Sequence, residues 1–431
     1  MRQMKRIGLT KKPLRGEIAV PGDKSIAHRA VIFSAVAQGQ SRIFNLSGGD
    51  DNSRTVRALR QMGVEIYRED DCLRIKGKGW DGLRAPAGPI DCGNSGTTMR
   101  LLSGLLAGRP FKSELDGDAS LRQRPMQRVI DPLSRMGARI ESRGGNGLAP
   151  LAIDGGGLRG IHYRMPMASA QVKSAIMLAA LQAQGQTMIE EPQKSRDHTE
   201  VMLGGFGGKI STEGLTITVD GGGRLTGQNV HIPGDLSSAA FFLVAAAMIP
   251  GSDLIVRDVG CNPTRDGVLE VLRRMGASIE LIHERFEAGE RVADIHVTGG
   301  PLKGVDVGAE WVARTIDEYP ILAVAAAAAE GVTLFSDVKE LRYKESDRIK
   351  AMTEGLRALG VAVEERADGM TIEGRQRFHG GAVKSYGDHR IAMAFAIAGL
   401  LSEPGVEIDD AACVDISFPA FFDLLAEICL H

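Results

Sequence analysis

The chain has 431 residues, of which 43% are apolar and 25% are charged, and its formal net charge is −2. This length and balance are typical of a globular protein of two or three domains and exclude a disulfide-stabilised miniature scaffold. A near-neutral chain has no overall attraction to nucleic acid or anionic membranes, so any anion must be bound by local clusters of basic side chains.

The five cysteines are odd in number and form no Cys-x-x-Cys pair, which favours neither a disulfide framework nor a zinc site. We therefore expect reduced thiols and a cytoplasmic protein. The longest apolar stretch, 239–250, is shorter than the roughly 18 residues of a membrane span, and no targeting segment is visible.

A repeated pattern runs along the chain: a helix-like segment ends in glycine and a short β-like run follows at once. The glycines of this pattern are Gly63, Gly137, Gly208, Gly276 and Gly360. Each is predicted to occupy the position just after a helix, where a left-handed backbone is needed.

Six alanine-rich helices are also predicted, each preceded by small or polar residues. Their starts are 22–25, 93–97, 167–171, 234–237, 315–318 and 386–389. Six starts indicate six copies of a small α+β unit. Pro-Gly-Asp occurs at 21–23 and at 233–235, which we interpret as domain crossings. The predicted inner domain is 22–234, with three units, and the outer domain is 1–21 plus 235–431.

The first turns of these helices carry basic side chains. A helix N-terminus attracts anions through its free N–H groups and dipole, and a cation one turn further adds a charge-assisted contact. The pairs four residues apart are Ser25 with Arg29, Gly96 with Arg100, and Ser169 with Lys173. A solvated helix face would also carry such residues, but their recurrence in apolar helices favours anion binding.

Further basic residues lie outside those pairs, and acidic residues alternate with them. The basic residues are Lys24, Arg122, Arg124, Arg128, Arg196, Lys344, Arg348 and Arg390. If they converge, the substrates carry several anionic groups. Asp317 or Glu345 among such cations could accept a substrate proton. Taken alone, segment 344–348 is more typical of an exposed, salt-bridged helix.

Two glycine motifs are misleading. The segment 155–160 matches G-x-G-x-x-G but lies between two β-like runs, so we expect no dinucleotide site there. The segment 22–25 lacks the glycines of a nucleotide phosphate-binding loop. The histidines at 162, 231 and 296 alternate with apolar residues and are predicted to lie in strands.

Seven segments, in order, resemble those of the 3-phosphoshikimate 1-carboxyvinyltransferase family, also called EPSP synthase. They are PGDKSIAHR (21–29), GNSGTTMR (93–100), RPM (124–126), SAQVK (169–173), DEYP (317–320), KESDR (344–348) and DHR (388–390). The resemblance implies an α/β protein with a two-domain, inside-out α/β barrel-like fold. Each domain would contain three βαβαββ-type units around a pseudo-threefold axis.

The resemblance also implies a reaction. The enolpyruvyl group of phosphoenolpyruvate would move to the 5-hydroxyl of shikimate 3-phosphate, with release of phosphate from a tetrahedral intermediate. This is a step of the shikimate pathway to aromatic amino acids, and it needs no metal or organic cofactor. The expected partners are these two small molecules, with no nucleic acid, no membrane and a monomeric chain.

Site residues are carried over by motif. Those implied to bind shikimate 3-phosphate are Lys24, Ser25, Arg29, Ser169, Gln171, Arg196, Asp317 and Lys344. Those implied to bind phosphoenolpyruvate are Lys24, Gly96, Arg124, Gln171, Arg348 and Arg390. Asp317 would take the proton of the 5-hydroxyl. Lys24 and Glu345 are both candidates for proton transfer at the methylene carbon and bridging oxygen.

Two departures place the sequence nearer to one branch of the family, class II. Ala170 replaces a serine, and segment 417–419 lacks a lysine found in the other branch. Class II members that tolerate the inhibitor glyphosate have alanine where this chain has Gly96. We therefore expect glyphosate to inhibit this protein.

Two alternatives remain open. A sister family transfers enolpyruvyl to UDP-N-acetylglucosamine, but it is marked by Lys-Asn and a reactive loop cysteine, whereas this chain has Lys24-Ser25 with Arg29. The fold alone cannot choose between the two. A non-catalytic, RNA-end-binding protein on the same architecture would not need Asp317 and Glu345 among its cations.

Overall fold

The computed structural model describes residues 4–10, 12–374 and 378–430. The chain divides into two compact units. The central unit, named for its place in the sequence, comprises Gly22–Ile232 and Phe286–Glu290. The terminal unit comprises the residues up to Pro21, Pro233–Arg285 and the residues from Arg291 onward.

Short strands run throughout the described ranges. They are β1 (Lys5–Ile7), β2 (Arg15–Ala19), β3 (Gln38–Phe44), β4 (Glu65–Arg68), β5 (Cys72–Lys78), β6 (Ile90–Asp91), β7 (Lys112–Asp116), β8 (Arg139–Ser142), β9 (Leu151–Asp154), β10 (His162–Arg164), β11 (Gln186–Glu190), β12 (Ile210–Glu213), β13 (Thr216–Asp220), β14 (Asn229–His231), β15 (Asp253–Gly260), β16 (Ser278–Glu287), β17 (Glu290–Thr298), β18 (Asp306–Val307), β19 (Val332–Phe335), β20 (Val363–Arg366), β21 (Gly369–Glu373), β22 (Gly381–Val383) and β23 (Val406–Ile408).

The α-helices alternate with these strands. They are α1 (Lys24–Val36), α2 (Asp50–Gln61), α3 (Gly96–Ala107), α4 (Gln127–Arg135), α5 (Ala170–Ala180), α6 (His198–Gly205), α7 (Leu236–Met248), α8 (Gly267–Arg274), α9 (Ala309–Thr315), α10 (Tyr319–Ala328), α11 (Arg348–Ala358), α12 (His389–Gly399) and α13 (Phe421–Leu430).

Each unit contains three small sheets. Those of the central unit have the orders β14-β3-β5-β4, β6-β7-β9-β8 and β10-β11-β13-β12. Those of the terminal unit have the orders β16-β17-β15-β2, β18-β19-β21-β20 and β1-β23-β22. Every four-stranded sheet has one parallel pair at one edge and antiparallel pairs elsewhere. The chain order β6-α3-β7-α4-β8-β9 shows the βαβαββ unit directly.

At each of the two chain crossings, one strand pairs with a strand that is distant in the sequence. Strand β2 precedes α1 in sequence, but it pairs in parallel with β15, placing Ile18 opposite Val256. Strand β14 precedes α7, but it pairs in parallel with β3, placing Val230 opposite Ile43. In each unit, therefore, the parallel edge strand of one repeat comes from a distant part of the chain.

The six predicted helix starts are confirmed. Their helices α1, α3, α5, α7, α10 and α12 are buried on nearly every face and form the apolar centre of their unit. Five are capped by a side chain that accepts a backbone N–H, which satisfies one of the free donors of the first turn. The capping residues are Asp23, Ser95, Ser169, Asp235 and Asp388.

The predicted left-handed glycines are confirmed in four copies, with φ of +86° at Gly63, +114° at Gly137, +95° at Gly276 and +83° at Gly360. In the remaining copy the prediction is wrong by one residue, because Gly207 has the left-handed backbone, at +81°. Helix α6 ends at Gly205, so Gly207 makes the reversal.

The two secondary expectations from the sequence also hold. Segment 155–160 lies between β9 and β10 with no helix after it, and the three lone histidines lie in β10, β14 and β17. None of the helices in the described ranges is long and apolar enough to cross a membrane.

Helices α3 and α5 pack closely enough to require glycine at one position. A Cβ at Gly104 would overlap the backbone carbonyl of Ala175, which cannot move aside as a flexible side chain could. We expect Gly104→Ala to lower the free energy of unfolding by about 2 kcal/mol or more, because overpacking a rigid contact costs roughly that much. Urea unfolding followed by circular dichroism measures the change.

Gly204 in α6 is the matched control, because a Cβ there would meet no atom within 4 Å. Gly204→Ala should leave stability unchanged or raise it by about 0.5–1 kcal/mol, since alanine favours helix. Equal unfolding curves for the two variants would contradict the close approach.

Candidate functional site

The site of the central unit begins at the first turn of α1. Lys24 Nζ lies 2.8 Å from Asp51 Oδ2, in the first turn of α2. Asp51 is not among the residues predicted from the sequence. The signal was present, because Gly48 and Gly49 precede Asp50 and Asp51 in the same small-then-polar pattern that marks the other helix starts.

Arg29 lies one turn further along α1 and is only 3% exposed. Its Nε donates to Thr199 Oγ1 at 2.7 Å, its Nη1 to the carbonyl of Ser25 at 2.8 Å and its Nη2 to Ser174 Oγ at 2.8 Å. Burial lowers the pKa of Arg29 to about 10, so it remains charged at neutral pH. Among the described residues, its hydrogen-bond acceptors are all neutral, which leaves its charge available to an anion.

His28 contributes a neutral hydrogen bond beside these cations. Burial lowers the pKa of His28 to about 3, so the imidazole is uncharged. Its Nδ1 lies 2.7 Å from Thr55 Oγ1, which lies 2.8 Å from Thr98 Oγ1, and Thr98 in turn contacts Ser95 Oγ at 2.8 Å. This buried chain joins α1, α2 and α3 and fixes the relative positions of the α1 and α3 first turns.

The start of α3 lies beside two guanidinium groups. A Cβ at Gly96 would lie 2.9 Å from Arg100 Nη1 and 3.4 Å from Arg124 Nη1. Arg124 Nη2 donates to Asn94 Oδ1 at 2.6 Å. Absence of a side chain at Gly96 therefore leaves space next to two cations and a helix N-terminus, which is suitable for an anionic group.

Gln171 joins the starts of α3 and α5. Its Oε1 accepts from Arg100, and its Nε2 donates to Thr97 Oγ1 at 2.8 Å. Ser169 caps α5 by accepting from the N–H of Val172. Arg100 therefore lies among the predicted residues, although only its spacing from Gly96, and not the family resemblance, had indicated it.

Arg196 lies in the loop before α6. It is partly buried, and its positive charge lowers the pKa of Arg29, after the larger effect of burial. Two cations thus act on the same region of the central unit, as a multiply charged anion would require.

The site of the terminal unit is centred on Asp317. Its Oδ1 lies 3.3 Å from Lys344 Nζ and 3.5 Å from Arg348 Nη1, and its carbonyl accepts from Arg390 Nη1 at 3.3 Å. Three other predicted residues therefore contact Asp317, two at its carboxylate and one at its backbone carbonyl, on the turn between α9 and α10.

Arg348 is 1% exposed and is surrounded by carboxylates. Its Nε donates to Asp388 Oδ2 at 2.8 Å and its Nη2 to Glu345 Oε2 at 2.6 Å. Burial alone would lower the pKa of Arg348, but the charges of Asp388, Glu345 and Asp317 outweigh it and raise the pKa. Arg348 is thus a fixed cation.

The interpretation of segment 344–348 as an exposed helix is wrong. Helix α11 begins only at Arg348, where Asp347 accepts the N–H of Lys350 at 3.0 Å. The residues before it form a loop that turns Lys344 and Glu345 toward Asp317 and Arg348, because the buried guanidinium needs nearby carboxylates.

The thirteen predicted residues are divided between the two units. The central unit holds Lys24, Ser25, Arg29, Gly96, Arg124, Ser169, Gln171 and Arg196, and the terminal unit holds Asp317, Lys344, Glu345, Arg348 and Arg390. The first group can bind anions, and the second pairs a carboxylate with cations. Within the described ranges, no cluster of three or more His, Cys, Asp or Glu side chains could hold a metal ion.

Comparison with known proteins gives a consistent result. The sequence profile of EPSP synthase (3-phosphoshikimate 1-carboxyvinyltransferase) matches residues 9–425. A 3-phosphoshikimate 1-carboxyvinyltransferase from Pelobacter propionicus is 54% identical, covering 96% of each chain. Another from Geobacter sulfurreducens is 51% identical, covering 97% of this chain and 98% of the relative.

Solved structures agree. An EPSP synthase from Acinetobacter baumannii superposes with a TM-score of 0.89 at 45% identity, covering 99% of this chain and 98% of the other. The enolpyruvyl transferase NikO from Streptomyces tendae has a TM-score of 0.79 at 17% identity and shares the fold, with coverage of 99% and 98%. The expected α/β fold class is confirmed, and the chain belongs to the EPSP synthase family of 3-phosphoshikimate 1-carboxyvinyltransferases.

Proposed function

We propose that this protein transfers the enolpyruvyl group of phosphoenolpyruvate to the 5-hydroxyl of shikimate 3-phosphate and releases phosphate. The observation that carries the proposal is Arg29, a buried cation whose hydrogen-bond acceptors among the described residues are all neutral. A buried charge in such surroundings is stabilised by an anion from outside the chain. Shikimate 3-phosphate carries a carboxylate and a phosphate.

In this proposal the acceptor substrate is held largely by the central unit. Arg29 and Arg196 provide charge, while Ser25, Ser169 and Gln171 provide hydrogen bonds. The N-termini of α1 and α5 add free N–H donors, which favour anions. Lys344 and Asp317 are the further residues proposed to bind this substrate.

Phosphoenolpyruvate has its own set of cations. Arg124 and the space beside Gly96 accept one of its anionic groups, together with Lys24 and Gln171. Arg348 and Arg390 are the further cations proposed for this substrate. Because Arg348 is fixed by Asp388 and Glu345, it binds without a large loss of side-chain entropy.

The chemical steps follow from the positions of the carboxylates. Asp317 takes the proton of the 5-hydroxyl as that oxygen attacks C2 of phosphoenolpyruvate, and Lys344 and Arg348 lie 3.3 Å and 3.5 Å from its carboxylate. A proton must also reach the methylene carbon, and Lys24 and Glu345 are the candidates. The tetrahedral intermediate then loses phosphate as the proton leaves the methyl group and the enol ether forms. No metal or organic cofactor takes part.

The same proposal includes a monomeric protein of the cytoplasm that binds no nucleic acid. The five cysteines support the cytoplasmic location, since all are free and four are buried. Size-exclusion chromatography with light scattering tests the oligomeric state, and a dimer would contradict the monomer.

The activity assay is direct. We expect phosphate release from phosphoenolpyruvate with shikimate 3-phosphate, undiminished by a chelator, and none with UDP-N-acetylglucosamine. Release is measured colorimetrically, and mass spectrometry identifies the enolpyruvyl product. Absence of release with shikimate 3-phosphate would refute the proposed function, and release with UDP-N-acetylglucosamine would favour the sister activity.

Asp317 is tested by two variants. We expect Asp317→Ala and Asp317→Asn to reduce kcat by about 10²–10⁴-fold, the usual contribution of a general base, while binding of shikimate 3-phosphate remains measurable by calorimetry. The asparagine keeps the volume and an oxygen facing Lys344 but cannot take the proton. Asp306→Ala removes an exposed carboxylate from β18 and is the control. Near-normal turnover of both Asp317 variants would refute its role as base.

Gly96 is predicted to decide the response to glyphosate. We expect the wild-type protein to be inhibited, and Gly96→Ala to raise the inhibition constant at least tenfold, because its Cβ would enter the space beside Arg100 and Arg124. Inhibition assays at fixed phosphoenolpyruvate give the constants, with Gly204→Ala as control. Equal tolerance in the wild type and Gly96→Ala would contradict this explanation.

A further inference from the structure

A buried charged cluster in the central unit lies outside the residues assigned above. Lys173, in α5 one turn after Ser169, has no exposed surface. Its Nζ lies 2.8 Å from Glu191 Oε2 and 2.6 Å from Glu200 Oε1. One ammonium group thus bridges the end of β11 and the first turn of α6.

The cluster also holds the loop that leads to Arg196. Glu191 accepts from the hydroxyl of Ser195 and, at 3.5 Å, from its N–H. Lys173 Nζ donates to the carbonyl of Ser195 at 3.5 Å. Because Ser195 directly precedes Arg196, these contacts fix the backbone from which that guanidinium extends.

The same cluster affects Arg29. Glu200 follows Thr199, the residue that accepts from Arg29 Nε at 2.7 Å. The charge of Glu200 raises the pKa of Arg29, opposing the larger effect of burial. The charges of Asp23 and Glu290 also raise the pKa of Arg29, and that of Arg196 lowers it. The direct ion pairs, however, are both made by Lys173.

We infer that Lys173 is a positioning residue: by binding both carboxylates it leaves Arg29 free for the anionic substrate and keeps the Arg196 loop in place. The inference rests on the proposed function, because the effect that it assigns to Lys173 is on the binding of shikimate 3-phosphate. Lys173 contacts no substrate itself.

Removing the ammonium group of Lys173 would leave Glu191 and Glu200 without their direct ion pair. Two buried carboxylates without a cation are strongly unfavourable. Arg29 is the nearby cation whose hydrogen bonds are all to neutral acceptors, so it would be drawn to Glu200. Shikimate 3-phosphate would then have to displace a carboxylate before it could bind.

Four variants test the inference. Lys173→Met keeps most of the side-chain volume and removes the charge. The double variant Lys173→Met with Glu200→Gln removes one charge of each sign. The single variant Glu200→Gln removes the carboxylate that directly follows Thr199 in the sequence. Lys194→Met is the matched control, since Lys194 is an exposed cation on the same loop, paired with Asp197 at 3.4 Å.

Calorimetry gives the Kd of shikimate 3-phosphate, and steady-state kinetics gives KM for each substrate and kcat. We expect Lys173→Met to raise the Kd and KM of shikimate 3-phosphate at least tenfold and the KM of phosphoenolpyruvate less than threefold. The double variant should recover most of the affinity for shikimate 3-phosphate. A loss confined to this substrate, with the KM of phosphoenolpyruvate little changed, is the result that a purely structural role for Lys173 would not produce. Lys194→Met should stay within threefold of wild type.

Unchanged affinity in Lys173→Met, or no recovery in the double variant, would overturn the inference. If Lys173→Met does not fold, Glu200→Gln decides: we expect equal or tighter binding of shikimate 3-phosphate, and a tenfold loss in the folded variant would overturn the inference. A wild-type protein that neither binds nor turns over shikimate 3-phosphate would instead refute the proposed function.

Discussion

Compensation of buried charge is the constraint on which both parts of the candidate site depend. The helices that begin the repeats are apolar on almost every face, so a cation near their N-termini is removed from water. Arg29 and Lys173 lie in two of these helices and Arg348 begins α11, and each is no more than 3% exposed. Such a charge is tolerated only with hydrogen bonds and an opposite charge within reach. The source of that opposite charge differs from one position to the next.

Arg348 and Lys173 are compensated by the protein itself. Asp388 and Glu345 bind the first, and Glu191 and Glu200 bind the second. Arg29 donates three hydrogen bonds, all to neutral oxygens. Carboxylates act on it only through longer-range electrostatic interactions. Of the three cations, Arg29 would therefore be stabilised most by an added anion. Lys173 is thus a scaffold cation, Arg29 is a binding group without a bonded carboxylate, and Arg348 is proposed to bind phosphoenolpyruvate while its carboxylates hold it in place.

Local signals along the chain explain which features could be predicted. Helix starts and most left-handed glycines depend on a few neighbouring residues, as at Ser95, whose hydroxyl caps α3 three residues on. Pairings across long stretches of chain have no such signal. The contact between Lys24 and Asp51 depends on how two helices pack, and so does the bridge from Lys173 to Glu191 and Glu200. The local pattern of segment 344–348 is typical of an exposed helix for the same reason. The partner of Arg348, Asp388, lies forty residues further along the chain.

The start of α7 shows how repetition of one design produces sites of different kinds. It has the same elements as the starts of α1 and α5: a capping Asp235, a hydroxyl at Ser237 and a nearby buried cation, Arg265. Here, however, Arg265 donates to Asp235 at 2.7 Å and to Ser237 at 2.6 Å, and Ser237 donates to Glu318. The cation and the hydroxyl are thus already bonded within the terminal unit. The cation at this helix start is therefore part of the scaffold, whereas Arg29, whose hydrogen bonds all go to neutral oxygens, remains available to an external anion.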